Sequence, residues 1–179
     1  MQFDRDKFKA LLHYVVWSVG VRDGFGAAKL YKVLWFSDAH AYALFDEPIT
    51  GESYVRENYG PFPRHVLPVM QELIDDGTIL CRNDTYLDMP IQYFHALRIP
   101  DKLSPNPLHK DLVEQWIKNI SSEYHTATSS SEETYDYAWK MADIGEELPY
   151  RAIFANSIRE PEGEKLEWVL KRAQELRLA

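Results

Sequence analysis

The chain has 179 residues, enough for one domain with a full hydrophobic core or for one domain with a helical appendage. Hydrophobic residues make up 45% and aromatic residues 13%, a composition typical of folded proteins and not of disordered ones. The formal net charge is -8 and no run of Lys or Arg exceeds a pair, which argues against a nonspecific nucleic-acid binder.

Two helices are predicted at the start of the chain. Residues 4–19 have apolar side chains at helical spacing, and Asp4 is suited to cap this helix. The sequence VRDGFG, with its two glycines, then interrupts the pattern. Residues 27–44 form the second predicted helix, which is apolar on most of its sides and is therefore expected to be central.

The segment over residues 45–63 is predicted to be non-helical, because glycines and prolines punctuate it. Its end, residues 59–63 (YGPFP), is predicted to be a stiff turn. Gly60 accepts a positive φ, and the two prolines fix φ on either side of Phe62. Such a turn either only directs the next helix, over residues 64–76, or presents its aromatic side chains to a partner with little loss of entropy.

A β-hairpin is predicted after this helix, in which Pro68 is tolerated if it lies in the first turn. Its strands cover residues 78–82 and 91–99, around a turn signal at Asn83-Asp84 and a loop that extends over residues 86–89. A helix, a glycine and a hairpin in this order resemble a winged helix. The hairpin carries only two basic residues, Arg82 and Arg98, which weakens a DNA-binding interpretation.

Four more helices are predicted, over residues 108–123, 134–144, 147–156 and 161–178. The predicted fold class is therefore mainly α: a compact helical domain with a small antiparallel β-hairpin, an α+β arrangement. The largest apolar side chains of the predicted helices are expected to meet in one core: Leu30, Leu34, Trp35, Leu73, Trp116 and Trp139.

No catalytic or metal-binding pattern is recognisable in the sequence. The histidines lack HExxH spacing, and P-loop, GxGxxG and GxSxG motifs are missing. Asp38 and His40 point roughly 200° apart on a helix, so they are not a ready dyad. We expect a protein that is not an enzyme and needs no metal or cofactor. A small hydrolase is the remote alternative, which a buried polar cluster of Asp38, His40 and Tyr54 would favour.

The cell compartment is predicted from three features. The single cysteine, Cys81, excludes an intrachain disulfide and is expected to be a buried structural thiol. The N-terminus lacks an apolar signal core, and no stretch approaches the roughly 20 apolar residues that span a bilayer. We therefore expect a cytoplasmic protein.

Four blocks of the sequence, taken in order, resemble the Panacea domain of the SocA-like antitoxin family. They are KLYKVLWFSDAHAY (29–42), EPITGESYVRENYGPFPRHV (47–66), ELIDDGTI (72–79) and AWKMADIGEELPYRAIF (138–154). The resemblance covers roughly residues 8–155. Six residues that match the family motifs are expected to be structural: Lys29, Leu30, Asp38, Gly51, Trp139 and Pro149. Family members often carry a Ser-His pair before the Ala-Trp of the last block, whereas this chain has SSSEETYDYAW.

The resemblance implies a mostly helical domain with a small β element, here residues 1–155. The C-terminal helix in residues 156–179 lies outside the resemblance, and its leucine stripe predicts that it packs on this domain. The resemblance also implies an antitoxin that binds and neutralises a cognate toxin encoded by a neighbouring gene. The alternatives are an adaptor that delivers a toxin to a protease, as implicated for related members, and the winged-helix regulator.

A partner-binding surface is predicted where aromatic residues and arginines meet a rigid backbone, because such residues are frequent binding hot spots. The richest such stretch lies around the predicted turn. The candidate residues are Tyr54, Arg56, Tyr59, Gly60, Pro61, Phe62, Pro63 and Arg64. The final predicted helix, which contains Trp168, is the competing surface.

Overall fold

The protein combines α-helices with two small antiparallel sheets. The structure, a computed structural model, describes residues 1–101, 106–122 and 137–157. The helices are α1 (Arg5–Val19), α2 (Ala27–Phe45), α3 (Val66–Asp75), α4 (Pro107–Ser122) and α5 (Tyr137–Met141), followed by a 3-10 helix (Tyr150–Ser157). The strands are β1 (Tyr54–Glu57), β2 (Gly60–Pro63), β3 (Ile79–Tyr86), β4 (Met89–Ala96) and β5 (Glu147–Leu148).

Helix α2 lies at the centre of the core, as its apolar sequence predicts. It contacts α1, α4, β2, β4 and the 3-10 helix. The predicted core is confirmed for Leu30, Leu34, Trp35 and Leu73, which are all buried. The other two predicted members, Trp116 and Trp139, are only partly buried and pack against the edge of this core.

The ends of the first three helices lie within two residues of the ends predicted from the sequence. The side chain of Asp4 accepts a hydrogen bond from the amide of Lys7 at 3.0 Å and so caps α1. Helix α2 begins at Ala27, as predicted, and ends one residue later than predicted, at Phe45. Helix α3 begins at Val66, which places Pro68 in the first turn, where its missing N–H leaves no intrahelical bond unmade.

The predicted turn at residues 59–63 is instead mostly a β-strand. Strand β2 pairs with β1, and the chain reverses direction at Asn58-Tyr59. The main chain of Arg56 faces β5, because its amide donates to the Glu146 carbonyl at 2.8 Å and its carbonyl accepts from the Gly145 amide at 2.8 Å. Pro61, which is paired with Arg56, therefore needs no N–H toward β1.

The same argument applies to Pro63, which is paired with Tyr54, two residues before Arg56. Strand β2 is at the edge of its sheet, whose strand order is β2-β1-β5. Edge strands are the places in a sheet that tolerate proline. The prediction of a positive φ at Gly60 is confirmed, with φ of 135°.

The second hairpin turns within the predicted loop, but its strands are longer than predicted and its turn lies beyond the turn signal at Asn83-Asp84. Strands β3 and β4 continue through Asn83-Asp84, which pair with Gln92 and Ile91, and the turn lies at Leu87-Asp88. Both turn residues have positive φ, 48° and 61°. A two-residue hairpin with positive φ at both positions has the backbone twist that matches the strands. Aspartate tolerates that conformation, whereas leucine rarely adopts it.

The end of the described chain differs from the predicted pair of helices. Helix α5 ends at Met141, not at residue 144, and Gly145 follows in a loop with φ of 82°. Residues 147–156, predicted to be one short helix, form strand β5 and then the 3-10 helix. The predicted helix over residues 161–178, with Trp168, and the boundary at residue 155 are not tested, since residues after 157 lie outside the described part. The fold is thus α+β, with a three-stranded sheet in addition to the predicted hairpin.

Candidate partner-binding site

The hairpin of β1 and β2 carries the predicted partner-binding residues, and the structure divides them into an inward and an outward set. Tyr54 is inward and fully buried. Its ring packs edge-on against Trp35 with centroids 5.2 Å apart, and its hydroxyl donates to Asp38 at 2.8 Å. Its side chain therefore holds the hairpin to α2 and does not reach the surface.

Asp38 accepts hydrogen bonds from three donors in the interior. These are the Tyr54 hydroxyl, the Thr50 amide at 2.8 Å and the Thr50 hydroxyl at 2.6 Å. Burial raises the pKa of the Asp38 carboxyl to about 6, although the three hydrogen bonds act in the opposite direction. The Ile-Thr-Gly and Tyr54 motifs thus serve to attach the loop before β1 to the central helix.

A second buried polar group lies just before β1, at the same end of the hairpin. Glu52 is 1% exposed and its carboxylate lies 2.8 Å from Nδ1 of His65, whose ring stacks on Phe3 at 4.2 Å. The hydroxyl of Tyr150 donates to the carbonyl of Glu52. Burial raises the pKa of the Glu52 carboxyl, and the contact with His65 opposes that shift. This group ties the start of β1 to α3 and to the 3-10 helix.

The polar cluster that would favour a hydrolase is only partly present. It contains Asp38 and Tyr54 but not His40, whose Nδ1 lies 3.1 Å from the carbonyl of Phe36 and whose ring packs on Trp116 at 4.6 Å.

The single cysteine, Cys81, is half-buried, not fully buried as predicted, and burial raises the pKa of its thiol. Among the residues that the structure describes, no group of three His, Cys, Asp or Glu side chains is arranged to hold a metal ion.

The guanidinium of Arg56 makes two contacts within the protein, a hydrogen bond and a cation–π contact. Its guanidinium donates to the carbonyl of Ala142 and lies 4.4 Å from the centre of the Trp139 ring. The indole of Trp139 in turn donates to the carbonyl of Glu57 at 3.1 Å. Arg56 and the family-motif residue Trp139 therefore join β1 to the residues around α5.

Other family-motif residues also have structural surroundings. A side chain at Gly51, where φ is 69°, would collide with the backbone carbonyl of Gln2, and Thr50 accepts a hydrogen bond from the amide of Asp4 at 2.8 Å. Lys29 and Leu30 are buried in α2. Pro149 is exposed and directly precedes the 3-10 helix, where its carbonyl accepts from the amide of Ala152 at 2.9 Å.

The outward set of candidates is smaller than the sequence suggested. Tyr59, at the turn of the hairpin, is 56% exposed, and Arg64, just after β2, is also exposed. Phe62 is half-buried, with its ring edge-on to Tyr31 at 5.4 Å. Gly60, Pro61 and Pro63 are buried and supply backbone shape. Whether Tyr59 or Arg64 contacts a partner stays a prediction.

A groove that the sequence did not reveal lies beside Tyr59. Its volume is 590 Å³, and it is lined by residues from 57–62, from 24–31 at the start of α2, and from 86–92 at the tip of the second hairpin. We call it the hairpin groove. Sequence reasoning missed it because these three segments are brought together only by tertiary packing. The one available signal was the apolar pair Leu87 and Met89 in the predicted loop of the second hairpin, and the structure shows both side chains exposed.

Comparison with known proteins identifies the chain's relatives. A family model described as "Antitoxin SocA-like, Panacea domain" matches residues 30–177. The match includes residues beyond 155, where the motif blocks end. Neither the curated proteins nor the solved structures contain a match. No helix in the described ranges is long and apolar enough to cross a membrane.

Proposed function

The chain belongs to the SocA-like antitoxin family with the Panacea domain, and on that premise we propose that it neutralises a cognate toxin by binding to it directly. The observation that carries this proposal is the family match over residues 30–177. We propose further that the toxin is the product of a neighbouring gene, that both proteins act in the cytoplasm, and that the chain itself catalyses no reaction.

The first hairpin has the properties of an inhibitory surface. Such a surface needs a few well-placed anchors, most often Tyr, Trp or Arg, on a backbone that loses little freedom on binding. Tyr59 and Arg64 are exposed at the two ends of β2. The strand between them is held by Phe62 against Tyr31 and, through β1, by Tyr54 against Asp38. A partner would therefore meet a surface that is already ordered.

Co-expression tests the proposal. The neighbouring gene product, induced alone, is expected to stop growth, and the present chain is expected to restore growth and to co-purify with that product. A neighbouring product that is harmless alone, or that stays toxic beside a well-expressed antitoxin, contradicts the proposed function.

The protease-adaptor alternative makes a different prediction from direct binding. Direct neutralisation requires that purified toxin lose its activity when mixed with the purified chain, with no protease present. In cells, the toxin should then persist at an unchanged level while growth resumes. A toxin that disappears during rescue, and that stays active in the purified mixture, favours the adaptor.

The winged-helix alternative draws support from the order of α3, β3 and β4. Both arginines of that region have partners within the protein: Arg82 pairs with Asp84 at 2.8 Å, and Arg98 donates to the carbonyl of Asp76 at 2.9 Å. We therefore rank it below the antitoxin function. Binding to duplex DNA that weakens steeply with added salt would reverse this ranking.

A further inference from the structure

The hairpin groove has the character of a docking site for another protein. Its lining includes the apolar residues Pro61, Phe62, Met89 and Ile91. Three large side chains are strongly exposed on or next to its rim: Tyr59, Leu87 and Met89. Exposed apolar residues gathered around a concave surface are typical of an interaction site.

The size of the groove limits what it accepts. Its volume of 590 Å³ lies within the range of about 300–1,000 Å³ found for sites that hold drug-sized ligands. This is room for a few side chains of a short segment and not for a folded domain or a whole helix.

The groove also contains a hydroxyl that has no hydrogen-bond partner within the described part of the chain. Tyr31 lines it, and among the described residues nothing accepts from or donates to its hydroxyl. Burial raises the pKa of Tyr31 to about 12, so its hydroxyl stays neutral and keeps its proton. A neutral hydroxyl is suited to donate a hydrogen bond to a peptide carbonyl.

The charged residues around the groove indicate which charge a bound segment would carry. Glu57 lines it, while Asp23 and Asp88 directly adjoin lining residues, and none of the three forms an ion pair with a described residue. Lys29 also lines the groove, but it is buried, as is the neighbouring Lys32, and Arg82 is paired with Asp84. The accessible charges at the rim of the groove are therefore carboxylates, in line with the net charge of -8.

The walls of the groove are held in place by contacts that do not involve a partner. A side-chain Cβ at Gly26 would lie 2.5 Å from Cγ1 of Ile91, so the second hairpin lies directly against the start of α2. The amide of Gly24 donates to the hydroxyl of Tyr93 at 3.1 Å, which fixes the same hairpin to the preceding loop. A guest segment would find the site already formed.

We propose that the hairpin groove binds a short, basic segment of the toxin, with an apolar side chain placed among Phe62, Met89 and Ile91 and a Lys or Arg placed beside Glu57. This proposal rests on the antitoxin function for the identity of the partner. Apolar burial supplies the affinity, and the carboxylates select against acidic segments.

The test begins with synthetic peptides in place of the unidentified toxin. The probes are fluorescent hexapeptides with a central Leu-Trp pair, flanked either by arginines or by glutamates, and a third peptide with arginines around Ser-Gly. We expect the arginine peptide with Leu-Trp to bind at least about tenfold more tightly than either of the others. Equal binding of all three peptides, or binding of none, overturns the proposal.

Variants then locate the binding. Glu57→Gln is expected to lower affinity for the basic peptide about threefold or more, whereas Glu47→Gln, with the same change of charge on an exposed residue outside the groove, should leave it unchanged. Ala28→Trp is expected to fill the groove and abolish binding. Should that variant fail to fold, Met89→Ser serves instead, with Leu80→Ser as its control on the same hairpin. Basic-peptide affinity that is unchanged in Glu57→Gln and in the groove variant contradicts the proposal.

Toxin rescue and sedimentation separate this proposal from the antitoxin function. Loss of rescue by Ala28→Trp, with rescue kept by Leu80→Ser, supports the groove. If both variants rescue growth as well as the wild type, the proposal that the groove binds the toxin is wrong and the antitoxin function stands. If even the wild type fails to rescue, the antitoxin function is wrong, and the peptide preference alone decides what the groove binds. A wild-type dimer that Ala28→Trp converts to a monomer, without peptide binding, would show instead that a second copy of the chain occupies the groove.

Discussion

The two hairpins of this protein have the same supersecondary structure and different attachments. The hairpin of β1 and β2 is buried over most of its length and is held by Tyr54 on Asp38 and by Arg56 on Trp139. The hairpin of β3 and β4 is buried mainly near its base, and most of the residues toward its tip are exposed. The comparison shows that most of the family-motif residues in and around the first hairpin attach it to the rest of the protein. The large apolar side chains that stay exposed are at its turn, Tyr59, and at the tip of the second hairpin, Leu87 and Met89.

The largest expected effect tests the buried attachment of the first hairpin. Tyr54→Ala should lower the free energy of unfolding by about 3–5 kcal/mol, because it removes a fully buried aromatic side chain together with a donor to Asp38. Leu87→Ala, at the exposed tip of the second hairpin, should change it by less than about 0.5 kcal/mol. Denaturant titration of both variants measures the contrast, and similar values for the two would show that the hairpins do not differ in this way.

A second prediction concerns the helix that both hairpins contact. Leu34→Ala should cost about 2–5 kcal/mol, because Leu34 is fully buried in α2. Thermal and denaturant melts followed by circular dichroism give the value. A melt that is unchanged by this substitution would mean that α2 is not the common support of β2 and β4.

The buried carboxyl of the first hairpin should make stability depend on pH. The pKa of Asp38 is about 6 in the folded protein, against an ordinary value of 3.8, so folding takes up a proton between these values. The free energy of unfolding should be highest below about pH 4 and should fall as the pH rises through 6, by at most about 3 kcal/mol from this group. The raised pKa of Glu52 adds a change of the same sign.

The measurement is a series of denaturant titrations from pH 4 to pH 7.5 on the wild type and on Asp38→Asn. The asparagine variant cannot ionise at this position. The free energy of unfolding of the wild type, relative to that of the variant, should therefore fall as the pH rises through 6, by the contribution of Asp38 alone. A constant difference would show that Asp38 keeps an ordinary pKa, and that it is therefore ionised over most of this range in spite of its burial.

The smallest expected effects concern binding and not folding. Tyr59→Ala and Arg64→Ala should each weaken toxin binding by at least about 1 kcal/mol, because exposed aromatic and arginine side chains are frequent hot spots. Both side chains are exposed, so the melts of these variants should match that of the wild type. Unaltered toxin affinity in both variants would move the interface away from the first hairpin. Lower melting temperatures would assign Tyr59 and Arg64 to the structure instead.

Much of this protein was determined by signals within short stretches of its sequence. A carboxylate placed before an apolar repeat begins α1 at Asp4, and a proline confined to a first turn is compatible with α3. The motifs around Gly51, Gly60 and Trp139 led to the family that the comparison then identified. The helix signals could be read in advance because each depends on the chemistry of neighbouring residues. The motifs could be read because their residues follow the family's order along the chain, although Gly51 and Trp139 make contacts with distant residues.

Tertiary structure decided which side chains of the hairpins face inward and which form the groove. Successive side chains on a strand point to opposite faces, so register determines their surroundings, and register depends on pairing with distant residues. Pairing of β1 with both β2 and β5 buries Tyr54, engages Arg56, and makes Pro61 and Pro63 members of an edge strand and not of a turn. The hairpin groove arises in the same way, because residues 24–31, 57–62 and 86–92 become neighbours only when both hairpins pack on α2.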